Sequence, residues 1–254
     1  MMMDKQAQNA AGAAAPVAEV AEHIAHALEE DIVLGSLHPC QRLIEDELMA
    51  RFSAKRHAVR DALALLERMG LVERKRNVGA LVRHFSAQEV VELYEMRILL
   101  ETQAARRMPL PAPPPAVQQL RELQQAHDAA VQANDVRGVF RSNKAFHEAF
   151  FGLCGSAVLV QAIGEYARRT HAIRFGAMTS PAQRERSRAE HHALIDALQA
   201  GARAQLVALC RAHLLPSRDA YLLAHGHAIA RDAADTADSE ETGADFGGRG
   251  QTLA

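Results

Sequence analysis

The sequence predicts a mainly α-helical protein in two parts: three short helices with a two-stranded hairpin, then an antiparallel all-α bundle. Composition is the first reason. Of 254 residues, 48% are hydrophobic and only 4% aromatic, with no Trp, and recurrent Ala and Leu favour helices over a β-sandwich or barrel. The second is a change of period, because short helical repeats give way to two strand-like runs before residue 85 and long helical repeats follow. The third is charge. Residues 51–83 hold nine Lys or Arg against three acids, in a chain whose formal charge is −2.

The first helix is expected from about Val17 to Leu34, with Val20, Ile24, Ala27 and Leu28 on one face and Gly35 as its stop. Pro39 leads to a short helix over Ile44–Phe52. Ser53 suits the N-cap of a third helix, Ala54 to Met69, whose buried stripe would be Ala58, Val59, Ala62, Leu63 and Leu66. Gly70 closes it. Leu71–Arg74 and Ala80–Arg83 read as strands, and Asn77-Val78-Gly79 as the turn between them. Ser86-Ala87-Gln88-Glu89 fits a capping box opening a helix to about Met108. The prolines at 109, 111, 113, 114 and 115 end that helix and stiffen the connection. Further helices are expected over 115–133, 136–153, 156–177, 182–200 and 202–224, with Pro216 an interruption or end.

The domain boundaries follow: a tail over 1–15, a unit of three helices and a hairpin over 16–84, a bundle over 87–226 and an acidic tail over 227–254. Both tails are expected to be disordered, since neither holds enough apolar surface to order itself. No apolar run reaches the 18 or so residues of a membrane span. The amino end lacks the basic and apolar regions of a secretory signal. Cys40, Cys154 and Cys210 are widely spaced with no C-x-x-C, as expected of reduced thiols in the cytoplasm.

Three helices followed by a hairpin make a winged helix-turn-helix, whose third helix enters the major groove of double-stranded DNA by its amino end. Lys55, Arg56, His57 and Arg60 stand there, suited to base edges or phosphates. The hairpin tip, Arg74, Lys75, Arg76, Asn77 and Gly79, would lie on the backbone or in the minor groove, with Gly79 permitting close approach. The pattern Leu43-x-Glu45-x-x-Leu48-Met49, Phe52-Ser53-Ala54-Lys55-Arg56, Val59-Arg60-Asp61-Ala62-Leu63, Leu66-Glu67-x-x-Gly70-Leu71-Val72 and Gly79-Ala80-x-Val82 resembles the GntR family of bacterial repressors. Members of that family often have Thr-Pro where this chain has His57-Ala58, and a basic residue where it has Val78.

In the bundle, Asn143 and His147 share a helix face at i, i+4 spacing. His191 lies ten residues before Gly201 and His213 twelve after it. A helical hairpin at Gly201 brings the two imidazoles level, so that one oxygen and three nitrogens converge in a set suited to Zn²⁺, Ni²⁺ or Mn²⁺. The alternative is ordinary surface or core histidines, with His127, His171 and His192 as competitors for any site. Tyr94-Glu95-x-Arg97-x-x-Leu100-Glu101, Asn143-x-x-Phe146-His147, Glu190-His191 and His213-Leu214 are similar to the FCD effector domain of the FadR-type branch. That resemblance implies an antiparallel bundle that forms a homodimer, with a metal held by Asp and three His. His147, His191 and His213 match the imidazole ligands, and Asn143 stands where the carboxylate belongs. It also implies a small carboxylate effector, for which Arg97 is the matching cation. Arg97 equally suits an ion pair with Glu101. Arg168, Arg169 and Arg174 are candidate pocket residues, with exposed surface the preferred reading, and Phe146 and Phe150 read as core.

The functional expectation is a ligand-responsive DNA-binding regulator, a repressor by resemblance. A metal-dependent hydrolytic enzyme using the His cluster is the alternative. Against it stand the lack of a placed general base, nucleophile motif or phosphate loop, and the unexplained basic segment.

Overall fold

The computed structural model describes residues 17–174 and 179–241, with side chains of the last helix described to Ala224. The helix-turn-helix is built from α1 (Val17–Val33), α2 (Glu45–Phe52) and α3 (Arg56–Arg68). Its wing is an antiparallel sheet of order β1-β3-β2, with β1 Arg42–Leu43, β2 Val72–Lys75 and β3 Gly79–Val82. Pairing Val72 with Val82 and Lys75 with Gly79 sets the hairpin register. The two-residue β1 escapes sequence reading, because its partner strand lies far along the chain.

The predicted stripe of α3 is the buried one: Ala58, Val59, Ala62, Leu63 and Leu66 pack with Ile24, Leu28, Leu48, Leu71 and Val82. Ser53 does not cap α3. It ends α2 in the left-handed conformation with φ 49°, and Lys55 stands at the N-cap of α3 without a side-chain hydrogen bond.

The bundle comprises α4 (Ala87–Arg107), α5 (Pro114–Gln132), α6 (Val136–Gly152), α7 (Ala157–Arg169), a 3₁₀ turn at Ala172–Arg174, α8 (Pro181–Ala200) and α9 (Arg203–Glu241). The Ser86–Glu89 capping box opens α4 as expected. Arg203 donates to the carbonyls of Arg106 and Met108, satisfying the other end. The helix expected over 156–177 stops at Arg169 instead. There the Thr170 hydroxyl bonds back to the Ala167 carbonyl and accepts from Arg97, and the chain tightens into the 3₁₀ turn.

Pro216 sits inside α9 rather than ending it. It removes one backbone hydrogen bond without breaking the helix. The backbone of α9 runs to Glu241, past the expected boundary at 226, so the stretch 227–241 is helical where a disordered tail is expected. The expected amino-terminal tail and the end of the acidic tail lie outside the described residues.

The bundle core gathers Phe146, Phe150, Phe151, Leu194, Ile195, Leu198 and Leu206, which places Phe146 and Phe150 as core. A smaller cluster of Phe85, Val90, Tyr94, Ile173, Leu214 and Tyr221 joins the start of α4 to the 3₁₀ turn and α9.

Candidate functional site

The basic face lies on the exposed side of the wing unit. Lys55, Arg56, His57 and Arg60 are exposed on the amino end of α3, and Arg74, Lys75, Arg76, Asn77 and Gly79 are exposed on the hairpin. Several guanidiniums are held by acids of the same unit. Arg56 pairs with Asp46 at 2.6 Å and Glu45 at 3.3 Å, and Arg60 with Glu45 at 3.0 Å. These exposed pairs contribute little stability, so a phosphate can replace the acids at small cost. Asn77 (φ 65°) and Gly79 (φ 101°) make the turn. A Cβ at Gly79 would come within 3.7 Å of Arg42 Nε. That places Arg42, outside the basic run and missed by charge counting, beside the wing tip.

In the bundle, α6, α8 and α9 bring His147, His191 and His213 together, with one nitrogen of each within 4.8 Å of the others. His147 Nε2 and His213 Nε2 are 3.1 Å apart. Two of the three outer nitrogens have partners, His191 Nδ1 donating to Gln124 Oε1 at 2.9 Å and His213 Nδ1 to Glu190 Oε2 at 2.7 Å, while His147 Nδ1 is buried without one among the described residues. These bonds fix the tautomers that leave both Nε2 lone pairs facing inward. Burial lowers the pKa of His147 and His191 well below the usual imidazole value, with neighbouring imidazole and guanidinium charge adding to the effect. Among the described residues, His191 Nε2 is buried with no hydrogen-bond partner. Neutral imidazoles with an orphaned inward nitrogen and carboxylate or amide support outside fit a divalent metal.

Asn143 is buried beside the triad and borders two cavities. The larger cavity lies between α4, α6 and α7 and takes in His147 and Arg97. The other takes in His127 and His213. Arg97 is bonded to Glu101 at 2.8 Å and to Thr170 at 3.1 Å, so the structural pair forms while the side chain still lines the cavity. The competing histidines have other partners, though His171 also lines the larger cavity and His127 the other. His171 bonds Glu29, and His192 bonds Asp128. His127 bonds Ser142 through Nδ1, and its buried Nε2 has no partner among the described residues.

Sequence reading missed Gln124, held His127 only as a competitor and preferred the surface for Arg174. Gln124 and His127 come from α5, which carries no recognisable motif. Arg174 is not surface: it lines both cavities and makes no side-chain hydrogen bond or ion pair with another described residue. Desolvation and the charge of Arg97 pull its pKa down to about 10. Glu190 reaches His213 on the neighbouring helix rather than its sequence neighbour His191, a contact that only the packing of α8 on α9 reveals.

A winged helix-turn-helix joined to a helical bundle with a His-lined centre defines a class, the DNA-binding regulators with a sensor domain. The model for bacterial regulatory proteins of the gntR family matches residues 20–82, and that for the FCD domain residues 92–215. The chain is 30% identical over 126 residues to a helix-turn-helix-type transcriptional regulator from the TAR-I ttuE-ttuC' intergenic region of Agrobacterium vitis, covering 48% of this chain and 74% of that one. It is 28% identical over 125 residues to the gluconate operon transcriptional repressor of Bacillus subtilis, covering 49% of this chain and about half, 51%, of that protein. Among solved structures, a GntR regulator from Rhodococcus sp. RHA1 superposes with TM-score 0.68 at 22% identity, over 80% of this chain and 98% of that chain. E. coli McbR/YncC gives TM-score 0.68 at 20% identity, over 81% and 98%. The chain belongs to the GntR family of bacterial transcriptional regulators and carries an FCD domain. These relatives are regulators rather than enzymes, which sets the hydrolytic alternative aside.

Proposed function

We propose that the protein is a homodimeric repressor whose affinity for an operator changes when a small carboxylate enters the bundle beside a divalent metal. The carrying observation is that α6 holds Asn143 and His147 while touching the DNA-binding unit. Arg137 and Arg141 of α6 pair with Glu30 of α1 at 2.6 and 2.5 Å, and Arg137 also pairs with Asp31 at 3.0 Å. A ligand that moves α6 therefore moves α1, and it shifts the equilibrium only by its differential affinity for the two arrangements.

On the DNA, Lys55, Arg56, His57 and Arg60 read the major groove, and the wing from Arg74 to Gly79 grips the backbone. In the bundle, His147, His191 and His213 supply three neutral nitrogens and Asn143 a neutral oxygen, with Zn²⁺, Ni²⁺ or Mn²⁺ as the metal. The metal supplies Lewis-acid attraction for an anion, and Arg97 and Arg174 supply charge for the same group. The test is an operator-binding assay on purified protein with and without metal and added carboxylates. A carboxylate that changes operator affinity only in protein with an intact triad supports the reading, and indifference to every metal and acid opposes it.

A further inference from the structure

The wing tip carries a cation that does not come from the basic run. Arg42 of β1 sits opposite Leu81 of β3, and Leu81 sits opposite Glu73 of β2, so the three form one row across the sheet. Residues directly opposite share a face, and Gly79, two residues from Leu81, lies on that face too. A Cβ at Gly79 would come within 3.7 Å of Arg42 Nε and 3.9 Å of its Nη2. The exposed guanidinium therefore reaches from β1 to the start of β3, beside the turn.

The surroundings leave this guanidinium available. Arg56, Arg60, Arg74 and Lys75 are each paired with an acid of the same unit. Glu73, the acid in Arg42's own row, is taken by Lys75 at 2.9 Å. The Arg42 side chain makes no hydrogen bond or ion pair with another described residue. Next to it in the turn, Val78 is an exposed apolar side chain. Valine gains nothing from a phosphate, but apolar side chains are used in the minor groove. Arginine is the cation suited to that groove, because a guanidinium is weakly hydrated and a narrow A·T-rich groove concentrates negative potential.

We infer that Arg42 enters the minor groove beside the wing tip and confers a preference for A·T pairs there. An A·T pair offers only acceptors on the minor-groove floor. A G·C pair adds an amino donor, which a guanidinium, itself only a donor, cannot pair with. The inference rests on the regulatory reading above and adds a minor-groove readout to the contacts of α3.

The test starts from a duplex that the purified full-length protein selects from random DNA. That duplex is remade with 2,6-diaminopurine in place of every adenine, which adds a minor-groove amino group to each A·T pair and keeps the major-groove donor and acceptor. Wild type is expected to bind the substituted duplex about tenfold more weakly. Arg42→Ala is expected to bind the unmodified duplex about tenfold more weakly than wild type does, with an unchanged melting temperature, and to be nearly indifferent to the substitution. Arg42→Lys is expected to keep the salt slope while losing the discrimination. Arg42→Ala that matches wild type on the unmodified duplex overturns the inference. So does wild type that ignores the substitution, or Arg42→Ala weakened by one factor on both duplexes, which is a phosphate contact alone. Protein that selects a duplex and then gives one of these results loses only the role of Arg42. Protein that selects no duplex loses the regulatory reading as well.

Discussion

Asn143 shows how one residue sets the character of the centre. An amide oxygen is neutral where the family carries a carboxylate, so a bound cation keeps its full double charge and attracts an anion more strongly. Asn143→Asp is expected to tighten divalent metal binding and weaken anion binding, measured by competition with a chromophoric chelator. The supporting hydrogen bonds matter as much as the ligands. Gln124→Ala or Glu190→Ala is expected to cost roughly 10–100-fold in metal affinity with the helical fold intact. The convergence of the three histidines was legible from the spacing of His191 and His213 around Gly201 and from resemblance, and Asn143 was read from its i, i+4 spacing to His147 and from the same resemblance. Gln124 was not, because its link to His191 spans 67 residues and appears only when α5 packs on α8.

At the scale of elements, the end of α1 is the least expected feature. Glu29, Glu30 and Asp31 are three consecutive acids, yet all three are buried. Glu29 accepts from His171 at 2.7 Å, and Asp31 pairs with Arg51 at 2.6 Å. Sequence cannot show this, because periodicity marks which helix faces are apolar and not which charged faces meet partners elsewhere. The stripe of α3 and the capping box of α4 were legible because both are local. The early stop of α7 was not, since it depends on Thr170 meeting Arg97 on α4. Burial raises the Glu29 pKa, but the hydrogen bond and charge of His171 outweigh that and bring it to about 2. A carboxyl depressed in the folded state adds stability above the unfolded value of 4.5, and that stability is lost as pH falls toward 2. Glu29→Gln should therefore be less stable than wild type near neutral pH, with the gap closing through that acid window in urea unfolding. Glu29→Ala, which leaves the buried imidazole unpaired, is expected to cost about 1–3 kcal/mol.

At the scale of the molecule, the contacts between α1 and α6 and the cluster around Phe85 and Tyr221 tie the DNA-binding unit to the sensor. Tyr221 donates to the Phe85 carbonyl at 3.0 Å, pinning the short link before α4 onto α9. Arg137→Ala with Arg141→Ala removes the α6 side of this tie. That double variant is expected to bind operator DNA while losing most of its response to effector, as read by parallel DNA-binding and ligand titrations.

The central claim, that this chain is a sequence-reading regulator, is tested most directly by its binding to the DNA upstream of its own gene, across a salt series with a scrambled duplex as control. The account predicts tight, selective binding with a steeply negative salt slope. Arg56→Ala is expected to cost about 1–3 kcal/mol and relax selectivity if it contacts a base, or to shallow the salt slope by about 1 if it contacts phosphate. A protein that binds no duplex more tightly than the scrambled control, even after selection from random DNA at low salt, would contradict it.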